Sequence, residues 1–301
     1  MWFKNLRIYR LTRPIDITPE TLEEKLAEHS YRPCTNLEFS RYGWVPPLGK
    51  HGTLFTHAGN GHTMICARKQ EKILPPAAIN EMVEDKILEL EARQDRSVYR
   101  KEKRDIKETV IHTLLPRALT RSAQTYACFS TVKNLLIIDA ASAIKAEEFL
   151  EHLRIALGEL PVVPLTCHGD PAEVMTRWLK NSTAKGFDLD NECDLRNPLE
   201  SKNIIRCKNQ ELESEEIMGH LKAGKRVISM AINWKEAIRF VLNEDFSLNR
   251  VRFEDSIQKE ADTEADDFAS QFDQDFAIMT LQLGFLLDEL LEAFGGINRD
   301  K

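Results

Sequence analysis

The segment from Met64 to Arg121 constrains the fold most. It opens as a strand, Met64-Ile-Cys-Ala-Arg-Lys69, breaks at Pro75-Pro76, and continues as a helical pattern to Arg104. Ile79, Met82, Val83, Ile87 and Leu90 recur at the spacing of one buried helix face. The stripe then fades, and from Glu91 to Asp105 only Ala92, Val98 and Tyr99 are apolar. A helix that loses its buried stripe has left the core. An arm, or a hairpin of helices, is therefore expected to project from the body before Ile106, Val110, Ile111 and Leu114 bring the chain back. Between Arg96 and Arg121 eight bases face three acids, a local balance of +5 in a chain of formal charge −7. Such an excess points to an anionic partner; a solvated helix of mixed charge accounts for the same composition.

Charge is segregated along the 301 residues. Phe253 to Phe294 carries twelve acids and one base, a balance of −11, which leaves +4 for the rest. That asymmetry fits a nucleic-acid partner, or an acidic segment held away from one. The six cysteines form no C-x-x-C pair, and no two are closer than fourteen positions. They read as reduced thiols of a cytosolic protein. The N-terminus lacks a signal-type apolar region and no apolar run reaches membrane length, so a cytoplasmic protein with no membrane partner is expected.

The remaining elements mix. Trp2 to Leu11 reads as a central strand, with Leu6 and Ile8 on one side and Phe3 and Tyr9 on the other. Thr18 and Pro19 open a helix that runs to His29. The prolines of Gly43-Trp-Val-Pro-Pro47 confine that stretch to a sheet edge or rigid loop. Gly59-Asn-Gly61 and Lys133-Asn134 mark hairpins. Ser142 and Gly158 bracket a helix, and Leu160 to Leu165 forms a short strand. Pro171 to Asn181 is a short helix, and Gly186 to Lys202 reads as a turn-rich boundary or surface loop. A strand from Asn203 to Lys208 and a helix capped by Ser214 precede a three-strand meander. Its first strand places Ile228, Met230, Ile232 and Trp234 on one face, and its wet face carries Arg239, Arg250 and Arg252. The last forty-odd residues are helical, with a stripe of Phe276, Met279, Leu283, Leu287, Leu290 and Phe294. The expected class is α+β, with mixed or antiparallel sheets, a projecting helical arm and a C-terminal helix. The expected division is an N-terminal body (1–74 and 122–165), the arm (75–121) and a C-terminal region (166–301).

Catalytic signatures are missing: there is no P-loop, Gly-x-Gly-x-x-Gly, Gly-x-Ser-x-Gly or His-Glu-x-x-His. His51, His57 and His62 lie within twelve residues and could meet on paired strands, but histidines so placed are more commonly turn and surface residues. Cys167-His168 is a lone pair. Asp266-Asp267 and Asp273/Asp275 fit a helix start better than an ion site. No catalytic residue, metal or cofactor is expected. What remains is basic residues on several separate elements, the footprint of phosphate neutralisation rather than base readout.

Five short words carry a resemblance: Trp2-Phe-Lys-Asn-Leu6, Gly43-Trp-Val-Pro-Pro47, Ile65-Cys-Ala-Arg-Lys69 with Glu71-Lys-Ile-Leu-Pro75, Leu114-Leu-Pro-Arg-Ala118 and Leu160-Pro-Val-Val-Pro-Leu165. In this order, and over nearly the whole chain, they resemble the bacterial RdgC family of recombination-associated proteins. The resemblance implies a nucleoid-associated, non-enzymatic protein. It implies a head-to-head, tail-to-tail homodimer forming a ring with a basic hole around double-stranded DNA, and restraint of RecA-driven strand exchange. The candidate DNA-facing residues are Lys4, Arg7, Arg68, Lys69, Lys72, Arg117, Leu119, Arg121, Lys208, Gln210, Lys225 and Arg226. Family members can carry an aromatic where this chain has Leu119, so a DNA contact or ring gate at that position is expected to be weaker here. The competing class is a protein-interaction module for a recombination or replication partner, in which the arm and C-terminal helix dock that partner and DNA is incidental.

Overall fold

The computed structural model describes residues 1–13, 18–261 and 267–299, without the side chains of residues 259–261. Asp262, Glu264 and Asp266 of the acidic segment therefore lie outside the described residues, as do the side chains of Lys259 and Glu260.

The first half builds β1 (Arg7–Leu11), α1 (Pro19–Glu28), β2 (Ser40–Val45), β3 (Thr56–Gly59), β4 (His62–Lys72), α2 (Pro76–Gln94), α3 (Arg100–Leu114), β5 (Thr120–Ser130), β6 (Leu135–Ile138), α4 (Ala143–Leu157) and β7 (Val162–Pro164). Its seven strands pair in the order β2-β4-β5-β6-β1-β7, with β3 also on β4. Every pairing is antiparallel. The expected signals act locally. The Thr18 hydroxyl accepts the Thr21 N–H at 3.3 Å to start α1, and Ser142 does the same for Lys145 at 3.3 Å to start α4. Asn60 and Gly61 take positive φ, 51° and 73°, to close β3 onto β4. β2 lies at the edge of the sheet, and Pro46 and Pro47 follow directly after its last residue.

The second half builds α5 (Pro171–Lys180), β8 (Phe187–Asn197), β9 (Glu200–Lys208), α6 (Glu215–Lys222), β10 (Arg226–Trp234), β11 (Ile238–Asn243), β12 (Leu248–Phe253), α7 (Asp255–Ala261) and α8 (Phe268–Ala293). Its five strands form a second antiparallel sheet, β12-β11-β10-β8-β9. The fold is α+β, with antiparallel sheets and a long C-terminal helix.

Three expectations fail here. Residues 186–202 are no loop: most of them build β8 and the start of β9. Phe187, Cys193 and Leu195 point into the core, while the Asp, Asn and Glu residues between them hide the strand period on the wet face. Along β10 a bulge between Val227 and Ser229 buries Val227 in place of Ile228. Residues 2–6 do not continue β1, so Phe3 packs with Leu6 and Ile8 instead of with Tyr9.

Two apolar clusters result. One lies between the first sheet and α1 and α4, around Leu22, Trp44, Ile65, Phe149 and Leu153. The other joins the opposite face of that sheet (Phe3, Leu6, Met64, Cys128) to α8 and the second sheet. The stripe of α8, including Phe276, Met279, Leu283 and Leu287, is buried throughout. Leu6 and Leu248 exchange backbone hydrogen bonds of 2.7 and 3.0 Å, which stitch the two sheets together. Among the described residues no helix is long and apolar enough to cross a membrane.

Candidate nucleic-acid interface

The β4–β5 ladder outruns its core. Ile65, Ala67 and Ala127 are buried, yet the pairs from Arg68↔Gln124 to Lys72↔Thr120 continue into partly or fully exposed positions. Strand alternation sorts the bases there. Arg68 and Lys72 share one face with Thr120, Ser122 and Gln124. Arg68 lies 4.7 Å over the Tyr31 ring and donates to the Ser122 hydroxyl at 3.1 Å. Lys72 has no ion pair among the described residues. The opposite face holds Lys69, 2.7 Å from Glu148 on α4, and Arg121, paired with Glu71.

The helices α2 and α3 spring from this end of the ladder as an antiparallel hairpin. Buried Leu115 anchors the 3-10 turn Leu115–Arg117 that ends it. Arg117 is exposed and without an ion pair among the described residues. Leu119 is 77% exposed, and its carbonyl accepts the Ile73 N–H at 2.8 Å. Six of the twelve candidates, Arg68, Lys69, Lys72, Arg117, Leu119 and Arg121, are thus gathered where the arm joins the body.

The other six sit apart. Lys4 holds β12 through its carbonyl, which accepts the Val251 N–H at 2.8 Å. The neighbouring Arg250 and the candidate Lys208 both reach Glu192, at 2.8 and 3.4 Å. Gln210 is exposed just beyond β9, its N–H on the Asn191 carbonyl at 3.4 Å. Lys225 bonds the Asn203 side chain, and Arg226 lies 3.9 Å from Asp170. The Val227 N–H donates to the Thr176 hydroxyl at 2.9 Å, which holds the start of β10 against α5. Arg177 and Lys180 of α5 consequently line one cavity of about 290 Å³ with Lys225 and Arg226. Sequence reasoning missed Arg177 and Lys180; their i, i+3 spacing opposite buried Trp178 and Leu179 was the available signal.

Arg7 has a different surrounding. Its guanidinium is largely buried and lies 2.7 Å from Asp245. Burial opposes ionisation of Asp245, but hydrogen bonds from the Ser247 hydroxyl and Arg7 outweigh it and hold the carboxyl below its ordinary value.

The three histidines do not converge. His51 stacks on Phe268 at 4.2 Å, His57 faces Asp273 at 3.3 Å, and the His62 Nδ1 sits 3.0 Å from the Asn60 carbonyl. Two of them therefore pack against the start of α8. Burial pushes the thiols of Cys66, Cys128, Cys167 and Cys193 up to about 12, which keeps them as protonated, weakly nucleophilic groups at neutral pH. Among the described residues no group of three or more His, Cys, Asp or Glu side chains is placed to hold a metal ion. The acids of α8 turn to local cations: Asp275 to the N-terminal amine, Asp288 to Lys133, and Glu289 to Lys235 and the Trp234 indole.

These features define an α+β protein with two antiparallel sheets, a basic ladder end and a helical hairpin rising from it. The family model described as "Putative exonuclease, RdgC" matches residues 1–297. A "Recombination-associated protein RdgC" of Tolumonas auensis is 44% identical over 298 residues, covering 98% of this chain and 99% of that one. Those of Aeromonas hydrophila and Yersinia pestis are 43% and 44% identical, each over 98% of both chains. The chain belongs to the RdgC family of recombination-associated proteins. The family description speaks of an exonuclease, the relatives' names only of recombination.

Proposed function

We propose that the chain is a non-enzymatic protein of the nucleoid that binds duplex DNA through its backbone, with little sequence preference. One observation carries the reading. Lys72 and Arg117 at the ladder end, and Arg177 and Lys180 beside Lys225, are cations without ion pairs among the described residues, on elements of both halves of the chain. Cations spread over rigid elements neutralise phosphates in a register that ignores the bases. Family membership adds the recombination setting, and the family resemblance supplies restraint of RecA-driven strand exchange as the consequence of coating DNA.

The same reading takes the protein as a two-fold dimer closed at both ends into a ring. Each contact of such a ring sets one patch against its own copy. The arm tip is the smaller patch. Val98 is folded into the hairpin, its N–H donating to Glu91 at 2.8 Å, while Tyr99 is 69% exposed. A small polar contact opens more readily than an apolar one and gives circular DNA a way in. The acids of α8 lie outside the hole in this arrangement, since they would repel phosphates.

The test is binding of the full chain to random-sequence duplexes across a salt series. Affinity should fall with a log–log slope of about −0.9 per phosphate neutralised. Salt-independent binding, or strong preference for one sequence, would falsify the reading. Cross-linking cysteines at the arm tip addresses the ring: dimers locked before addition of plasmid should fail to load, and those locked afterwards should resist high salt.

A further inference from the structure

The cations of α3 sit in the wrong half of their helix. Arg100, Lys101 and Lys103 occupy its first turn, where the unpaired N–H groups already present positive charge. Arg100, Lys103, Arg104 and Lys107 follow at i, i+3, i+4 and i+7, so like charges stand beside one another on one face. The first-turn acid, Glu102, does not relieve them. It accepts two bonds from Arg96, at 2.7 and 2.9 Å, and a third from the Tyr99 N–H at 2.9 Å. None of the five cations has an ion pair among the described residues. Their placement opposes the helix that carries them, and an external anion removes that opposition.

The hairpin is also short of core. Of all the residues of α2 and α3 only Ile79 and Val110 are buried. Between the helices runs a groove of about 1020 Å³ whose floor includes Val83 and Ile87 and whose far wall is the basic face of α3. Glu84 is its one acid. Phosphates would meet the wall but have no use for the floor. A third helix uses both, since an apolar stripe fills the floor while acids beside it meet the row of cations.

We propose that the α2–α3 groove docks an amphipathic acidic helix of a partner protein, completing a three-helix bundle on the arm. The proposal is independent of duplex binding. It requires anchors at i and i+3 or i+4 on the partner, facing Val83 and Ile87, and carboxylates along the side facing Arg100 to Lys107.

The probe is a synthetic helical peptide with a leucine stripe flanked by glutamates, compared by fluorescence anisotropy on the full chain with a scrambled peptide of equal composition and with a short duplex. The amphipathic peptide should bind at least about tenfold more tightly than the scrambled one. Arg104→Glu with Lys107→Glu, and separately Val83→Ser with Ile87→Ser, should each remove that advantage. The serine pair should leave duplex affinity unchanged, and circular dichroism checks that helix content is retained. The proposal fails if both peptides bind alike, or if the exposed charge-reversal pair leaves peptide binding intact. It fails too if that pair weakens only the duplex, which makes the groove a DNA contact. A change in sedimentation of the variants without peptide also overturns it, because a second copy then fills the groove.

Discussion

The Arg7 guanidinium donates to the Asp245 carboxylate at 2.7 Å and so ties β1 of the first sheet to the turn between β11 and β12 of the second. Arg7 is the more buried partner, with 16% of its side chain exposed against 48% for Asp245. Removing the carboxylate strands a mostly desolvated cation.

Asp245→Ala is therefore expected to lower stability by about 1–2 kcal/mol, less than a fully buried pair because water reaches the carboxylate. The sign with pH follows from the depressed carboxyl. Its contribution is complete above the ordinary carboxylate range and is lost as pH falls through the lower folded value. Urea midpoints should fall on acidification in the parent and less steeply in the variant; parallel curves would show that the pair carries no pH dependence.

His57 is held below its ordinary value, chiefly by burial and against the pull of Asp273. Its ring packs edge-on against Phe272 and Phe276 at 5.0 and 5.2 Å. The unfolded chain binds the proton more readily, so stability is full above the ordinary imidazole range and declines as pH drops through the folded value. An NMR titration should place the His57 transition below the ordinary imidazole range, and His57→Phe should flatten the melting temperature between about pH 7 and pH 5.

Lys72→Glu and Arg117→Glu change exposed or half-exposed cations without ion pairs among the described residues, so the fold should be retained. Each should weaken duplex binding uniformly across sequences, and each should reduce the magnitude of the salt slope by about one unit. Arg7→Ala should instead register first as lost stability. Unchanged affinity in the Lys72/Arg117 double variant, with native circular dichroism, would remove the ladder end from the interface.

Arg100→Glu with Lys103→Glu replaces two first-turn cations by anions. In the chain alone this should raise stability, by about 0.3–1 kcal/mol for each substitution, because acids suit a helix N-terminus. A rise in the protection of α3 amides from hydrogen exchange is the direct readout. Unchanged or reduced protection would mean that the cations do not strain the free helix.

Local order was legible in residue chemistry. Thr18, Pro19 and Ser142 begin their helices where capping demands, and the α8 stripe is buried from Phe276 to Phe294. The helix pair α2–α3 with its scant core was legible because a stripe that stops is visible in one dimension. β8 was not, because its wet face of Asp, Asn and Glu has the composition of a turn and a bulge breaks its alternation. The candidate interface was legible only in part. Basic residues can be picked out one by one, but whether Lys69 faces DNA or Glu148 depends on the pairing of β4 with β5 and on where α4 lies. His57 meets Asp273 across more than two hundred residues of chain, a contact that no spacing rule reaches.

The burial of α8 sets an order of events during synthesis. Phe3, Leu6, Met64 and Cys128 leave the ribosome early, and their cover includes Met279, Leu283 and Leu287. Until residues 268–293 are translated, a nascent chain can complete the cluster around Phe149 but must carry this second apolar face uncovered. The cluster that joins the two sheets can close only once α8 is available, and apolar surface left open through such an interval is prone to aggregation.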